Sequence, residues 1–307
     1  MPADDRTGGS PWTVLKALQW TADYFKRYRI ESFRIDAEVL LAHALNCKRL
    51  DLYLRHDQPL NEDERACFKA LIQRRIRHEP VAYIVGYKEF WSLRFQVGPA
   101  VLIPRPDTEC LVEAALKNLP TGAGSNCPDV LDLGVGSGAI TVALAHERRE
   151  CRYWASDCSW PAIQLARENA RSNGVAEPIR YFMGRWFDPL RPARVQFDIV
   201  LSNPPYIPSG DITRLSPEIR FFEPTGALDG GADGLRHIGA IIAEAHGYLK
   251  PGGLLMMEIG FDQRDAVQSL AQKWDVYEPV VFHKDYGGHD RVAQLRKKRL
   301  GGRPPGP

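Results

Sequence analysis

Val130-Leu131-Asp132-Leu133-Gly134-Val135-Gly136-Ser137-Gly138-Ala139-Ile140 decides the fold. Its first four residues form a short apolar run of the kind that makes a buried strand. Three glycines at alternate positions then allow a tight turn, and Ala139-Ile140 opens a helical pattern. The free N–H groups of that helix start point back toward the turn. The spacing is Gly-x-Gly-x-Gly, neither the Gly-x-Gly-x-x-Gly of dinucleotide folds nor a Gly-Lys-Ser/Thr triphosphate loop. By itself the loop reads as an adenosyl-cofactor turn or as a plain glycine-rich turn. Downstream, strand and helix patterns alternate. Strands are expected at Tyr153–Ser156, Ile179–Met183, Ile199–Ser202 and Leu254–Ile259, and helices at Ala139–Glu147, Pro161–Ser172 and Leu235–Leu249. Val276–His283 and Arg291–Leu295 read as a closing pair of strands. This alternation predicts an α/β doubly wound parallel sheet.

A second decisive stretch, Asn203-Pro204-Pro205-Tyr206, follows the strand-like Phe197–Ser202. The prolines stop the strand because neither can donate to a sheet ladder. They also leave a turn rich in carbonyl oxygens and poor in N–H donors, beside an aromatic ring. The stretch reads either as a simple strand stop or as a cradle for a planar group carrying NH2. Asp157 closes the next strand about 25 residues past Asp132, near the offset at which an acid meets ribose hydroxyls; its other reading is a helix cap. Trp186, after the third strand, reads as a flank for a flat ring or as a core aromatic.

Upstream, residues 11–79 carry helical periodicity: Trp12–Tyr28 after a Ser10-Pro11 start, Ile35–Leu45, Leu50–Leu54, and Glu62–Arg77 behind an Asn61 cap. Residues 80–106, rich in aromatic and β-branched side chains, predict a β-hairpin linker turning at Phe90-Trp91-Ser92-Leu93. Asp107 or Thr108 is expected to cap a helix reaching Leu119. Residues 121–128 read as a loop, residues 107–299 as the α/β domain, and residues 1–10 and 300–307 as disordered. A net charge of +2 gives no general nucleic-acid field, and Arg296-Lys297-Lys298-Arg299 reads as a solvated terminus. No apolar run reaches the ~18 residues of a membrane span, and the N-terminus lacks a signal-peptide core. Six cysteines without CxxC or Cys/His spacing predict reduced thiols, no metal site and a cytoplasmic setting.

Together, Asp132–Gly138 and Asn203–Tyr206 resemble the S-adenosylmethionine-dependent amino-methyltransferases, which act on DNA bases or on protein glutamines. Pro80–Gly86, Leu102–Glu109, Phe222–Gly231, Glu258-Ile259-Gly260 and Gly288–Val292 resemble the protein glutamine branch. The resemblance runs from about Thr13 to Leu295. Within it the helical domain resembles that of the enzymes acting on peptide chain release factors, with the large-subunit ribosomal protein enzymes as the near alternative. The resemblance implies a seven-stranded Rossmann-like domain behind a helical substrate-recognition domain, and a monomer without membrane or direct nucleic-acid partners. It further implies that Asp132, Gly134, Val135, Gly136, Ser137, Gly138, Asp157, Trp186 and Asn203 hold S-adenosylmethionine. Asn203, Pro204, Pro205 and Tyr206 would receive the glutamine, with Asn203, Pro204 and Tyr206 as the catalytic set. Arg105, Glu109 and Glu223 read as entrance residues or helix-end ion pairs. One position departs from the family pattern: Arg185 stands where members often carry an acid, so that acid's role is vacant or filled elsewhere, for instance by the Phe187 backbone.

Overall fold

The computed structural model describes residues 11–120, 127–177, 179–192 and 195–299. The expectations for 1–10, 300–307 and most of the 121–128 loop lie outside them. The chain divides into two compact units, one running to Gly86 and taking in Ser216–Phe222, the other holding Tyr87–Leu215 and the chain from Glu223.

The first unit is helical: α1 (Val14–Arg27), α2 (Phe33–Ala44), α3 (Arg49–Leu54), α4 (Glu62–Arg75) and α5 (Val81–Val85). Thr13 caps α1 by accepting from Lys16 N, so this helix starts after the expected Ser10-Pro11 site. α4 opens on a capping box, Asn61 Oδ1 accepting from Glu64 N at 2.9 Å and Glu64 returning the bond at 2.8 Å. Phe25, Leu40, Leu41, Phe68 and Ile72 are fully buried between these helices. Arg75 is buried among them and pairs with Asp36 at 2.7 Å and with Glu218. Residues 81–85 correct an expectation. They form a helix rather than the start of a β linker, because Pro80 begins it with a pre-set φ and Gly86, at φ +83°, ends it.

In the second unit, β1 (Tyr87–Phe90) and β2 (Leu93–Gln96) pair around Trp91-Ser92, at φ +52° and +57°. Two left-handed residues make this a type I′ turn. Glu109 accepts from Trp91 N, and Glu147 from Trp91 Nε1, each at 2.9 Å. A single helical turn at Pro106–Thr108 leads into α6 (Glu109–Leu116), shorter than expected and with no side-chain cap from Asp107 or Thr108. Both side chains are engaged elsewhere.

The sheet comprises β3 (Asp129–Leu133), β4 (Arg152–Asp157), β5 (Ile179–Met183), β6 (Phe197–Ser202), β7 (Leu249–Glu258), β8 (Val281–Lys284) and β9 (Asp290–Arg296). Its seven strands lie in the order β5-β4-β3-β6-β7-β9-β8. The first five run parallel and the β9-β8 pair antiparallel. This is the doubly wound, Rossmann-like sheet expected from the sequence. Its helices are α6, α7 (Ala139–Glu147), α8 (Trp160–Ser172), α10 (Arg236–Ala245) and α11 (Arg264–Gln272), with α9 (Pro217–Phe222) belonging to the first unit. Apolar clusters fill both faces, Val130, Val142 and Leu201 on one and Leu131, Val200 and Leu255 on the other. α9 and α11 were not expected. Val267 and Ala271 of α11 are buried and Leu270 packs against the same cluster, so the helical spacing is present but spans only nine residues. Of the expected solvated terminus, Lys298 and Arg299 are exposed, whereas Arg296 ends β9 and Lys297 Nζ donates to the His246 and Leu249 carbonyls at 2.7 and 2.8 Å.

Candidate active site

The strand order reverses at β3, with β4 on one side and β6 on the other. Such a switch point opens a crevice at the carboxyl ends of the strands. There the chain places Gly134 after β3, Asp157 at the end of β4, Trp186 after β5, Asn203 after β6 and Glu258 at the end of β7. Ser202 pairs with Met257 in the sheet, so Asn203 and Glu258 are the next positions on neighbouring strands.

A cavity of about 540 Å³ fills the crevice, within the range of small-molecule sites. Gly134, Val135, Gly136, Ser137, Asp157, Trp186, Asn203 and Pro205 line it. Asp132, Gly138, Pro204 and Tyr206 are not on its wall. Asp132 sits beneath the glycine turn, 2% exposed, where Oδ2 accepts from Thr141 Oγ1 at 2.5 Å and Oδ1 has no partner. Burial, helped by the Asp157 charge, pushes its carboxyl up to about 7. Gly138, at φ +85°, backs onto Ala166, which a Cβ would approach to 3.2 Å. It serves helix packing.

Asp157 ties two elements. Its Oδ2 accepts from Gly136 N at 3.0 Å and its Oδ1 from Ser159 N at 2.9 Å, while Ser159 itself caps α8. Gly136, at φ +52°, has open space where a Cβ would stand. Trp186 has a left-handed backbone (φ +47°), and its Nε1 is buried without a partner. Its ring leans on His237 at 5.4 Å. Arg185 Nη2 lies 3.5 Å from His237 Nδ1. Because arginine only donates, Nδ1 is the acceptor and the ring proton sits on Nε2. Burial, then the Arg185 charge, lowers the His237 pKa, so this ring is neutral. Phe187, by contrast, is buried and stacks on Tyr248.

Asn203 Nδ2 donates to Thr108 Oγ1 at 3.2 Å. The Tyr206 hydroxyl donates to Glu258 Oε1 at 3.0 Å, and the Tyr206 carbonyl accepts from Gln263 Nε2 at 3.0 Å. Burial and the neighbouring Glu258 raise the Tyr206 pKa far above the usual phenol value, so it stays protonated. Thr108, Gln263, Arg185, His237 and the 224–237 segment are site residues that sequence reading missed or left unassigned. Of these, the Phe222–Gly231 stretch was marked only by its resemblance to the protein glutamine branch. Of the expected entrance residues, Glu223 is buried and pairs with Arg105 while accepting from Ile103 N at 3.1 Å. Glu109 instead holds the hairpin turn.

The comparisons follow the same division. A family model described as the PrmC N-terminal domain matches residues 16–86, and one described as the methyltransferase small domain matches residues 108–223. A methyltransferase from Pyrococcus furiosus has a similar structure, with TM-score 0.50 at 20% identity, over 69% of this chain and 92% of that chain. The hMettl16 catalytic domain, solved in complex with a MAT2A 3′UTR hairpin, has TM-score 0.55 at 13% identity, over 72% and 82%. These two likenesses speak to the Rossmann-like fold alone, and the class, a methyltransferase, is given by the family model over residues 108–223. Among curated relatives, the release factor glutamine methyltransferase of Geobacter sulfurreducens is 45% identical over 282 residues, 92% of this chain and 96% of that protein. That of Rhodopirellula baltica is 37% identical over 294 residues, 95% and 99%. The chain belongs to the release factor glutamine methyltransferase family.

Proposed function

We propose that this chain transfers a methyl group from S-adenosylmethionine to the side-chain amide nitrogen of the glutamine in the Gly-Gly-Gln motif of peptide chain release factors. The observation that carries the reading is Asn203, which lines one cavity with the glycine turn while its amide NH2 is tied back to Thr108. That leaves Oδ1 as the group free to accept from a substrate NH2. The curated relatives' names supply the substrate class.

The cavity suits the cofactor. Gly136 leaves room beside the turn for a ligand to approach the backbone, and the orphaned Trp186 Nε1 is a donor suited to a heteroaromatic nitrogen. Asp157 is placed for ribose hydroxyls, Trp186 and the Arg185–His237 wall for the adenine, and Gly134–Ser137 for the remainder. When bound, the cofactor supplies an electrophilic methyl group on sulfur.

An amide nitrogen is a poor nucleophile because its lone pair is delocalised into the carbonyl. Asn203 Oδ1, on the cavity wall, accepts one N–H of the substrate amide, and we assign the other to the carbonyl of the adjoining Pro204, which stands behind that wall in the ligand-free chain. This aims the nitrogen and favours the loss of conjugation that attack requires. Tyr206, behind the wall and bonded to Glu258, holds the turn that carries Asn203. Orientation of this kind is worth ~7–11 kcal/mol when the reacting atoms are aligned. The proton leaves to water after transfer, so no general base is needed. We read the working protein as a cytoplasmic monomer; among the described residues no helix is long and apolar enough to cross a membrane.

The test is methyl transfer from labelled cofactor to a release factor, beside its Gln→Ala variant in the Gly-Gly-Gln motif, large-subunit ribosomal protein and duplex DNA. Label that appears on the release factor and vanishes with Gln→Ala is the expected result. Label on the ribosomal protein or on DNA instead would overturn the assignment.

A further inference from the structure

The Glu258 carboxylate is 1% exposed at the end of β7, next to the strand that ends in Asn203. One oxygen, Oε1, accepts from the Tyr206 hydroxyl at 3.0 Å. The other, Oε2, is buried without a closed hydrogen bond, and the Thr108 hydroxyl is the second donor facing the carboxylate. Thr108 Oγ1 in turn receives Asn203 Nδ2 at 3.2 Å. Two hydrogen bonds, Asn203–Thr108 and Tyr206–Glu258, therefore stand side by side, with a Thr108 hydroxyl whose oxygen is already accepting and an unpartnered Glu258 Oε2 between them.

Proton inventory gives the pair a direction. A carboxylate only accepts, so the unpartnered Oε2 of an ionised Glu258 is the natural acceptor for the Thr108 proton. Thr108 then has only lone pairs to offer Asn203, which must present its NH2 to Thr108 and turn Oδ1 away. Resting on the methyl-transfer reading above, we propose that Glu258, acting through Thr108 and Tyr206, is the positioning residue that fixes the Asn203 amide orientation and the Tyr206 ring for methyl transfer.

The surroundings fit that role. Asp107, beside Thr108, is 3.4 Å from Arg291 of β9, and Arg291 is held by Asp285 through Nε and Nη2 at 3.1 and 3.0 Å. Arg291, Asp107 and Tyr206 are the titratable or charged groups that face Glu258. Burial raises the Glu258 pKa above the ordinary carboxylate value, opposed by the Thr108 and Tyr206 hydroxyls and the Arg291 charge. Protonated Glu258 can donate to Thr108, whose hydroxyl is then free to donate to Asn203 Oδ1 and reverse the amide. Turnover therefore falls as pH drops through the Glu258 pKa.

The experiment has a chemical and a structural arm. Thr108→Val and Glu258→Gln are each expected to lower kcat ~10²-fold, the scale of a small misplacement of reacting groups. Calorimetric affinity for S-adenosylhomocysteine and KM for the release factor should stay within about threefold, far below the change in kcat. Thr108→Ser, which keeps the hydroxyl, should restore most of the rate, and Glu258→Gln should lose the acid limb of the kcat–pH profile. In the substrate-free protein, the Asn203 side-chain NH2 resonances, assigned by their absence from Asn203→Ser, should move in Thr108→Val. Unmoved resonances, wild-type kcat, or an acid limb that persists in Glu258→Gln would overturn the proposal. A wild-type protein that methylates no release factor would defeat the functional reading, while the resonances still judge the network.

Discussion

At the residue scale, Asn203 is the side chain to which we assign the transfer. It contributes an acceptor to the cavity wall and little to the hydrophobic core. Asn203→Ala is expected to cost ~10²–10³ in kcat, the loss typical of one oriented polar contact. Cofactor affinity, measured calorimetrically, should stay near wild type; near-normal turnover would refute the mechanism. Asp132 makes a different prediction. Its carboxyl is held at about 7 in the folded protein, above its ordinary value near 4. The folded state therefore binds more protons than the unfolded one between those values, and stability falls as pH rises through that window. Asp132→Asn should remove this slope and stabilise the ligand-free protein at pH 8 on the order of a few kcal/mol, read by urea unfolding at pH 5 and pH 8.

At the scale of elements, the 230–234 turn determines where Tyr206 sits. A Cβ on Gly234, at φ +75°, would come 2.3 Å from the Tyr206 carbonyl oxygen and 2.7 Å from the Gln263 Nε2 that binds it. Gly230 is as close, a Cβ there meeting Tyr206 Cα at 2.8 Å. Gly234→Ala should thus push the turn off Tyr206, lowering kcat ~10²-fold and costing about 1–3 kcal/mol in urea unfolding. Gly210→Ala, where a Cβ meets open space, is the control. In the helical unit the corresponding test is Arg75→Ala. It leaves Asp36 buried without its cation and should cost about 3–5 kcal/mol. An unchanged urea midpoint would show that the pair adds no stability.

At the scale of the whole molecule, the cavity lies wholly within the second unit. S-adenosylhomocysteine at a hundredfold over its Kd should stabilise that unit by about 2.7 kcal/mol, a rise in Tm of about 5–11 °C for its size. Asp157→Ala should abolish the rise. The near-neutral charge further predicts that binding to a release factor depends only weakly on salt compared with a nucleic-acid enzyme.

What the sequence determined by itself was everything carried by local pattern. Apolar runs and glycine spacing located β3, β4, β5 and β6, because a buried strand cannot be written without them. Asn61 marked its helix, and Trp91-Ser92 its hairpin, because caps and turns are made by the residues in them. The glycine turn, Asp157, Trp186 and Asn203 were legible as a site for the same reason, since each ends or follows a strand whose position was known. Asp132, Gly138, Pro204 and Tyr206 carried motif identity without showing which side of the wall they occupy. Only the tertiary structure decided that Thr108 serves Asn203 rather than capping a helix, that Glu258 stands beside Asn203, and that Ser216–Phe222 belongs with the helices through Arg75. The first two depend on the strand order that builds the crevice and the third on helix packing, and they bring together residues 95, 52 and 143 positions apart. Contacts at that separation leave no periodic trace in a single sequence, because their energy is settled by which elements become neighbours.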